Sequence, residues 1–351
     1  MPKISFAEAI NFAISRAMTK DKNMICYGLG VTDPKSIFGT TKNLEKKFGK
    51  KRVFDVPNSE NALTGISVGL ALNGVRSVVS HQRLDFFLLA FDQLINSAAK
   101  WYYMFGSKKS VPITIRLIIG RGWGQGPTHS QSLQSVFAHI PGLKVVIPSN
   151  PQNAQELLLA SIFDPNPVVF LEHRWLHNLK SNVSQKKIKK LAGSNILKRG
   201  KDLTIITMSF AVMDVLDIAK RMSKESIDIE VIDLSVIKPI SWNNIIKSVK
   251  KTGKMMLIDT GAYSGSISSE IISEICIKHH SILKKPPIKI AMPDFPEPTS
   301  YGLTKNFYFD KIKIVKNIKK ILNIKRKLKV ENEIKKPIHH DIPGKWFTGP
   351  F

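Results

Sequence analysis

The chain has 351 residues, 43% hydrophobic and 23% charged, with a formal net charge of +26 from 53 Lys plus Arg against 27 Asp plus Glu. That length predicts two domains of roughly 100–200 residues each, and the composition is that of a soluble globular protein in which no apolar run reaches the roughly 20 residues of a spanning helix. Two cysteines, Cys26 and Cys276, exclude a disulfide framework or a cysteine metal site and fit a reducing cytosol, as does an amino terminus, MPKISFAEAI, without signal-peptide pattern, so the expected compartment is the cytoplasm.

In chain order, residues 5–19 read as an amphipathic helix, and short apolar runs follow at MICYGLG, KRVFDVP, VRSVVSH, VPITIRLIIG, LKVVIPS and PVVFLEH. Helix-period segments lie between them, the clearest from Phe86 to Met104. Near-continuous apolar strands alternating with helices argue for a mostly parallel sheet covered on both faces, which makes residues 1–180 one α/β domain. Residues 181–200 are polar and lysine-rich and read as a linker carrying a short strand or turn. A second alternation runs LTIITM, AVMDVLDIAKRMSK, IDIEVIDL, WNNIIKSVKK, KMMLIDT, SISSEIISEICIKHH and PIKIAMP, predicting a smaller doubly wound domain over 201–326. Residues 327–351 form a basic, proline-punctuated tail whose aromatic tip, KWFTGPF, needs a surface to cover it.

The stretch VPNSENALTGISVGLALNG places Glu60 at the start of a long apolar helix. Pro57 ends the preceding strand, and Asn58 or Ser59 is suited to cap the first turn. Gly65 and Gly69, four residues apart, leave one helix face open to close approach by a backbone or a ligand. A carboxylate at that place either complements the helix dipole, an effect of about 0.3–1 kcal/mol, or meets a ligand.

The loop GRGWGQGPTHSQS, Gly120 to Ser132, follows an apolar strand, yet its alternate glycines match neither the GxGxxG nor the GxxxxGK[ST] phosphate motif. His129 at its end is placed either for proton transfer or for a loop hydrogen bond. The runs HQRLDF and LEHRWLH offer His, Asp and Glu without metal-ligand spacing. Lysines concentrate at Lys186–Lys190 and in KNIKKILNIKRKLK, with no aromatic-interleaved basic module or zinc-finger spacing beside them, which argues against a nucleic-acid function and for general residue usage.

Taken in order, VPNSENALTGISVGLALNGVR, AFDQLINSAAKWYYM, GPTHSQSLQSVFAHIPGLKVVIPSNPQNAQELL, DPNPVVFLEH and VIDLSVIKPIS resemble the beta chain of the thiamine-diphosphate-dependent decarboxylase component of 2-oxo acid dehydrogenase complexes, over about residues 3–326. The resemblance implies two doubly wound α/β domains, a transketolase-like pyrimidine-binding domain followed by a transketolase C-terminal domain. It assigns Glu60 to the carboxylate that shares a proton with a ring nitrogen of the cofactor's aminopyrimidine and so favours the imino tautomer that deprotonates the thiazolium carbon. Phe86 is the aligned aromatic that stacks on the pyrimidine. Asn58 and Gln82 stand near that ring, where relatives are often apolar. His129 is assigned to the mouth of the site as a proton-transfer group. Ile113, Ser161, Ile162, Asp164 and Asn166 fall where some relatives hold a structural potassium ion, mostly through backbone oxygens.

In this cofactor class a GDG motif and a later Asn hold the diphosphate and its magnesium, and no GDG occurs in this chain. The resemblance therefore implies an alpha subunit that supplies the magnesium and diphosphate half, an α2β2 assembly, a pyruvate-like or branched-chain 2-oxo acid as substrate, and a lipoyl-bearing acyltransferase as acceptor. Trp123, where many relatives have small residues, and the unusual tail leave the substrate and acceptor open. Two other readings stand beside it: half of a split transketolase-like enzyme with another acceptor, and a basic scaffold that kept the fold without activity.

Overall fold

The computed structural model describes residues 3–121, 124–184, 191, 193–334, 341–343 and 347. It divides into two compact units, one formed by Met1–Gly120 and Val136–Ala192, the other by Arg121–Ser135 and Gly193–Thr348.

The first unit begins with β1 (Lys3–Ser5) and α1 (Phe6–Lys20). Ser5 and Glu8 close a reciprocal capping box at the start of α1, satisfying two otherwise orphan backbone donors. The strands β2 (Ile25–Gly28), β3 (Val53–Asp55), β4 (Ser77–His81), β5 (Ile113–Ile119), β6 (Lys144–Val146) and β7 (Val168–His173) match the six apolar runs. They lie in the order β6-β7-β5-β4-β2-β3, each parallel to its neighbours. All residues of β4, β5 and β7 are buried, the burial that continuous apolar parallel strands require. Between strands run α2 (Leu44–Phe48), α3 (Glu60–Leu72), α4 (Leu84–Phe87), α5 (Ala99–Met104), α6 (Gln134–His139) and α7 (Pro151–Ile162). The Phe86–Met104 stretch, expected as one helix, is four pieces: the end of α4, a 3-10 turn Leu88–Ala90, a π turn Gln93–Ala98, and α5.

The second unit contains β9 (Asn195–Lys198), β10 (Leu203–Thr207), β11 (Ile229–Asp233), β13 (Met255–Ala262) and β14 (Ile288–Met292), in the order β14-β13-β10-β11-β9. The first four in that order are mutually parallel, and β9 is antiparallel on the edge. Its helices are α8 (Ala211–Ser223), α9 (Trp242–Thr252), α10 (Ile267–Lys278), α11 (Tyr301–Phe307), α12 (Lys311–Leu322) and α13 (Lys329–Glu333), with β12 (Val236–Lys238) between β11 and α9.

The predicted boundaries differ from this division in three places. Residues 181–200, expected as linker, contain most of β8 (Lys180–Asn182), antiparallel to β1, and all of β9, whose pairing with β11 makes it part of the second sheet. The glycine-rich loop, expected within the 1–180 domain, clusters with the second unit. The expected tail is built in as well, because Leu328, Val330, Ile342 and Phe347 are buried. The first half of the lysine-rich KNIKKILNIKRKLK run lies in α12, with Ile318 and Ile321 buried. Lys186–Lys190 lie outside the described residues. No helix among the described residues is long and apolar enough to cross a membrane.

Candidate active site

In the first unit the chain leaves β2 toward β3 on one side and leaves β4 toward β5 on the other, so the strand order reverses between β2 and β4. Open parallel sheets take ligands in the crevice outside the carboxyl ends of strands at such a point. Gly28 ends β2, with Gly30 just beyond it, and Gln82 directly follows β4. Gly28 (φ +148°) passes so close to β4 that a Cβ there would sit 2.0 Å from the Ser80 carbonyl oxygen. Gly30 (φ +75°) leaves the space that the Gln82 amide fills, and Gln82 donates to Asp33 at 3.4 Å. Asp55, at the end of β3, accepts from the backbone N–H groups of Val31 (2.6 Å) and Thr32 (3.1 Å), pinning that loop over the crevice. Asp33, Gly30 and Asp55 were not singled out in sequence; the paired glycines of GLG were the signal available.

Glu60 opens α3 five residues after β3. Tyr27 of β2 fixes the helix by donating to the Leu63 carbonyl (3.0 Å) and meeting the Ser67 hydroxyl at 2.6 Å. Ser59 occupies the cap position but makes no side-chain cap hydrogen bond, and Asn58 is exposed, so neither fills the expected capping role. Glu60 is 8% exposed, and among the described residues no hydrogen bond or ion pair engages its carboxylate, although its carbonyl accepts from Thr64. A largely covered carboxylate without an internal partner keeps its oxygens available to a ligand. Phe86 is 43% exposed, while its neighbour Phe87 is buried. Of the two glycines of α3, Gly65 admits the Gln93 side chain, 3.3 Å from where a Cβ would stand, and Gly69 faces open space. The donor set of Glu60 and Gln82 with an exposed aromatic fits a protonatable heteroaromatic ring.

His129 belongs to the other unit. It is half-buried, its Nδ1 lies 3.0 Å from the Thr128 hydroxyl, and its N–H donates to the Gly126 carbonyl. Three anchors hold its loop. At the far end Gln134 donates to the buried Asp259 at 2.6 Å, and Asp259 also accepts from the N–H groups of Gly261 and Ser268. At the root Arg121 is buried, its guanidinium 3.5 Å from the Tyr308 ring centroid. Between them Gly124 donates to Asp341 at 2.7 Å. Trp123 lies outside the described residues.

Around the five residues expected to hold potassium, several oxygens already accept hydrogen bonds. Arg76 donates to the carbonyls of Ile162 (2.7 Å) and Asp164 (3.2 Å), and Lys144 pairs with the Asp164 carboxylate at 2.6 Å. Ser161 donates to Leu157, and Asn166 donates its N–H to Asp164; Ile113 is buried at the start of β5. The Asn166 side-chain oxygen is buried with no partner among the described residues. Glu172 and His177 of LEHRWLH are engaged with each other, Glu172 also accepting from Arg116.

A family profile, "Transketolase, pyrimidine binding domain", matches residues 2–179, and another, "Transketolase, C-terminal domain", matches residues 193–314. Fold and site thus define a two-domain transketolase-like α/β protein. The beta subunit of acetoin:2,6-dichlorophenolindophenol oxidoreductase from Cupriavidus necator is 35% identical over 85% of this chain and 91% of its own length. The 2-oxoisovalerate dehydrogenase subunit beta of Bacillus subtilis is 35% identical over 88% and 95%, and the pyruvate dehydrogenase E1 component subunit beta of Rickettsia felis 33% over 91% and 98%. A solved split-gene transketolase, described as an inactive beta4 tetramer, superposes with a TM-score of 0.75 at 19% identity over 92% of this chain and 99% of that one, which shows a shared fold. The chain belongs to the family of beta subunits of pyruvate and 2-oxo acid dehydrogenase components within the transketolase-like superfamily.

Proposed function

We propose that this chain is the beta subunit of a heteromeric, thiamine-diphosphate-dependent 2-oxo acid dehydrogenase component that decarboxylates a pyruvate-like or branched-chain 2-oxo acid and passes the acyl group to a lipoyl acceptor. The observation that carries it is Glu60: a nearly buried carboxylate at the start of α3, with no internal partner, beside a strand-end crevice of a pyrimidine-binding-type domain. Bound thiamine diphosphate supplies the reactive carbon that takes up the 2-oxo acid and allows carbon dioxide to leave. Glu60 holds a shared proton at a ring nitrogen of the aminopyrimidine. Phe86 offers the ring face, and Gln82, held by Asp33, a polar edge. His129 moves a proton at the substrate. An alpha subunit completes the assembly, expected as α2β2, and holds the magnesium and diphosphate, for which this chain has no GDG sequence. The relatives named as dehydrogenase beta subunits support this division of labour.

The test is Glu60→Gln in the complex with its alpha subunit, assayed at saturating cofactor against a panel of 2-oxo acids. An amide cannot take up the proton, so turnover is expected to fall by about 10²–10⁴, the usual contribution of a positioned acid or base, with assembly intact. A variant within about threefold of the parent would return Glu60 to a helix-end charge worth no more than about 1 kcal/mol.

A further inference from the structure

The carboxyl-terminal tail reaches the glycine-rich loop. Asp341 is 6% exposed and lies beyond residue 314, where the match to the transketolase C-terminal domain ends. Its Oδ2 accepts from the Gly124 N–H at 2.7 Å, a charge-assisted bond of the stronger kind. On its other side Gly124 (φ +65°) abuts Thr299, whose carbonyl oxygen would stand 2.6 Å from a Cβ, and Gly126 (φ +73°) abuts the Thr299 hydroxyl. The loop is therefore held between Thr299 and Asp341 at glycines that permit the close approach. Gly126 in turn accepts from the His129 N–H, so a shift of Gly124–Gly126 is passed to the histidine through three residues of backbone.

The tail has fixed points of its own. Leu328 and Val330 are buried, Arg221 bonds Glu333 at 2.5 Å, Lys319 bonds Glu331 at 2.9 Å, and beyond Asp341 both Ile342 and Phe347 are buried. The loop's root is clamped as well, with Arg121 seated against Tyr308, Phe210 and Met292. Phe210 follows β10 and Met292 ends β14, so this arginine fills the strand-end region of the second sheet, the kind of place where such sheets otherwise take ligands.

We propose that Asp341 is a positioning residue: the tail straps the Gly124–His129 segment, and Asp341 sets the placement of His129. The role in turnover rests on the reading of His129 as the proton-moving group, whereas the strap itself does not. The test compares Asp341→Ala, Asp341→Asn and His129→Ala in the complex with the alpha subunit, measuring amide hydrogen exchange of peptides covering 121–132, cofactor affinity and steady-state kinetics. Asp341→Ala is expected to speed exchange in that loop about tenfold or more, leave peptides of β2 and α3 unchanged, and lower kcat at unchanged cofactor affinity. Asp341→Asn, which keeps an acceptor oxygen, restores most of both and covers the case in which the alanine variant fails to fold.

Loop exchange in Asp341→Ala equal to that of the parent overturns the strap. Faster loop exchange with unchanged kcat, where His129→Ala does lower kcat, overturns the positioning role. Unchanged kcat in His129→Ala marks failure of the histidine reading, and the exchange result then decides the strap by itself.

Discussion

His81 is the last residue of β4, directly before Gln82, and is 1% exposed with neither ring nitrogen partnered among the described residues. Its ring meets the edge of Phe87 at 4.9 Å, and burial pulls its pKa from 6.5 down to about 4. A base held neutral in the fold but free to protonate when unfolded makes the unfolded chain bind more protons between those values. Stability therefore falls as pH drops from about 6.5 toward 4, by up to about 3 kcal/mol for this one group. Urea unfolding of the parent and of His81→Phe at pH 7 and 4.5 checks it: the variant should lose part of the acid sensitivity, and parallel losses in both would assign it elsewhere. The two cysteines are a second residue-level contrast. Burial pushes the Cys26 thiol up to about 12, against the opposing charge of Arg116, whereas Cys276 lies exposed on α10. Since the thiolate is the nucleophile, a maleimide should label one thiol per native isolated chain, at Cys276, and a second only after denaturation, as mass spectrometry of the peptides would show.

Across the first sheet, β4, β5 and β7 carry a buried polar row. Arg116 of β5 bonds Glu172 of β7 at 2.6 Å and the Ser80 hydroxyl of β4 at 3.0 Å, and His177 meets Glu172 at 3.3 Å. Burial by itself would raise the Glu172 carboxyl, but the Arg116 charge and the His177 hydrogen bond outweigh it and hold the pKa below the usual value. Breaking such a pair on one side leaves an uncompensated buried charge and typically costs about 3–5 kcal/mol. Glu172→Gln should thus destabilise far more than an isosteric change elsewhere, while Arg116→Met with Glu172→Leu recovers much of the loss. Thermal and denaturant midpoints of the single and double variants distinguish this from a neutral row, for which the single change would cost under about 1 kcal/mol.

In the molecule as a whole, the residues assigned to chemistry are divided between units: Glu60, Gln82 and Phe86 in the first, His129 in the second. Sequence order hides this, because the 121–135 loop interrupts the first unit and the tail closes on that same loop through Asp341. A chain that supplies the pyrimidine side of a site should bind the cofactor weakly by itself and gain activity only with its alpha subunit. Calorimetry of the isolated chain against the copurified complex measures that difference, and full turnover by the isolated chain would refute the division of labour.

The sequence by itself determined the elements and the class. Short apolar runs pointed to parallel strands, and each of the six in the first unit is one, with β4, β5 and β7 buried along their whole length. Glu60 was legible because a lone acid in an apolar helix stands out against its surroundings. Tertiary structure alone decided what depends on neighbours distant in the chain: that β9 joins β11, that Gln82 is held by Asp33 across Gly30, that Arg76 takes the carbonyls of Ile162 and Asp164, and that Asp341 reaches Gly124. Periodicity reports which face of an element is apolar, and carries no record of which backbone group a side chain 86 or 217 residues away will meet.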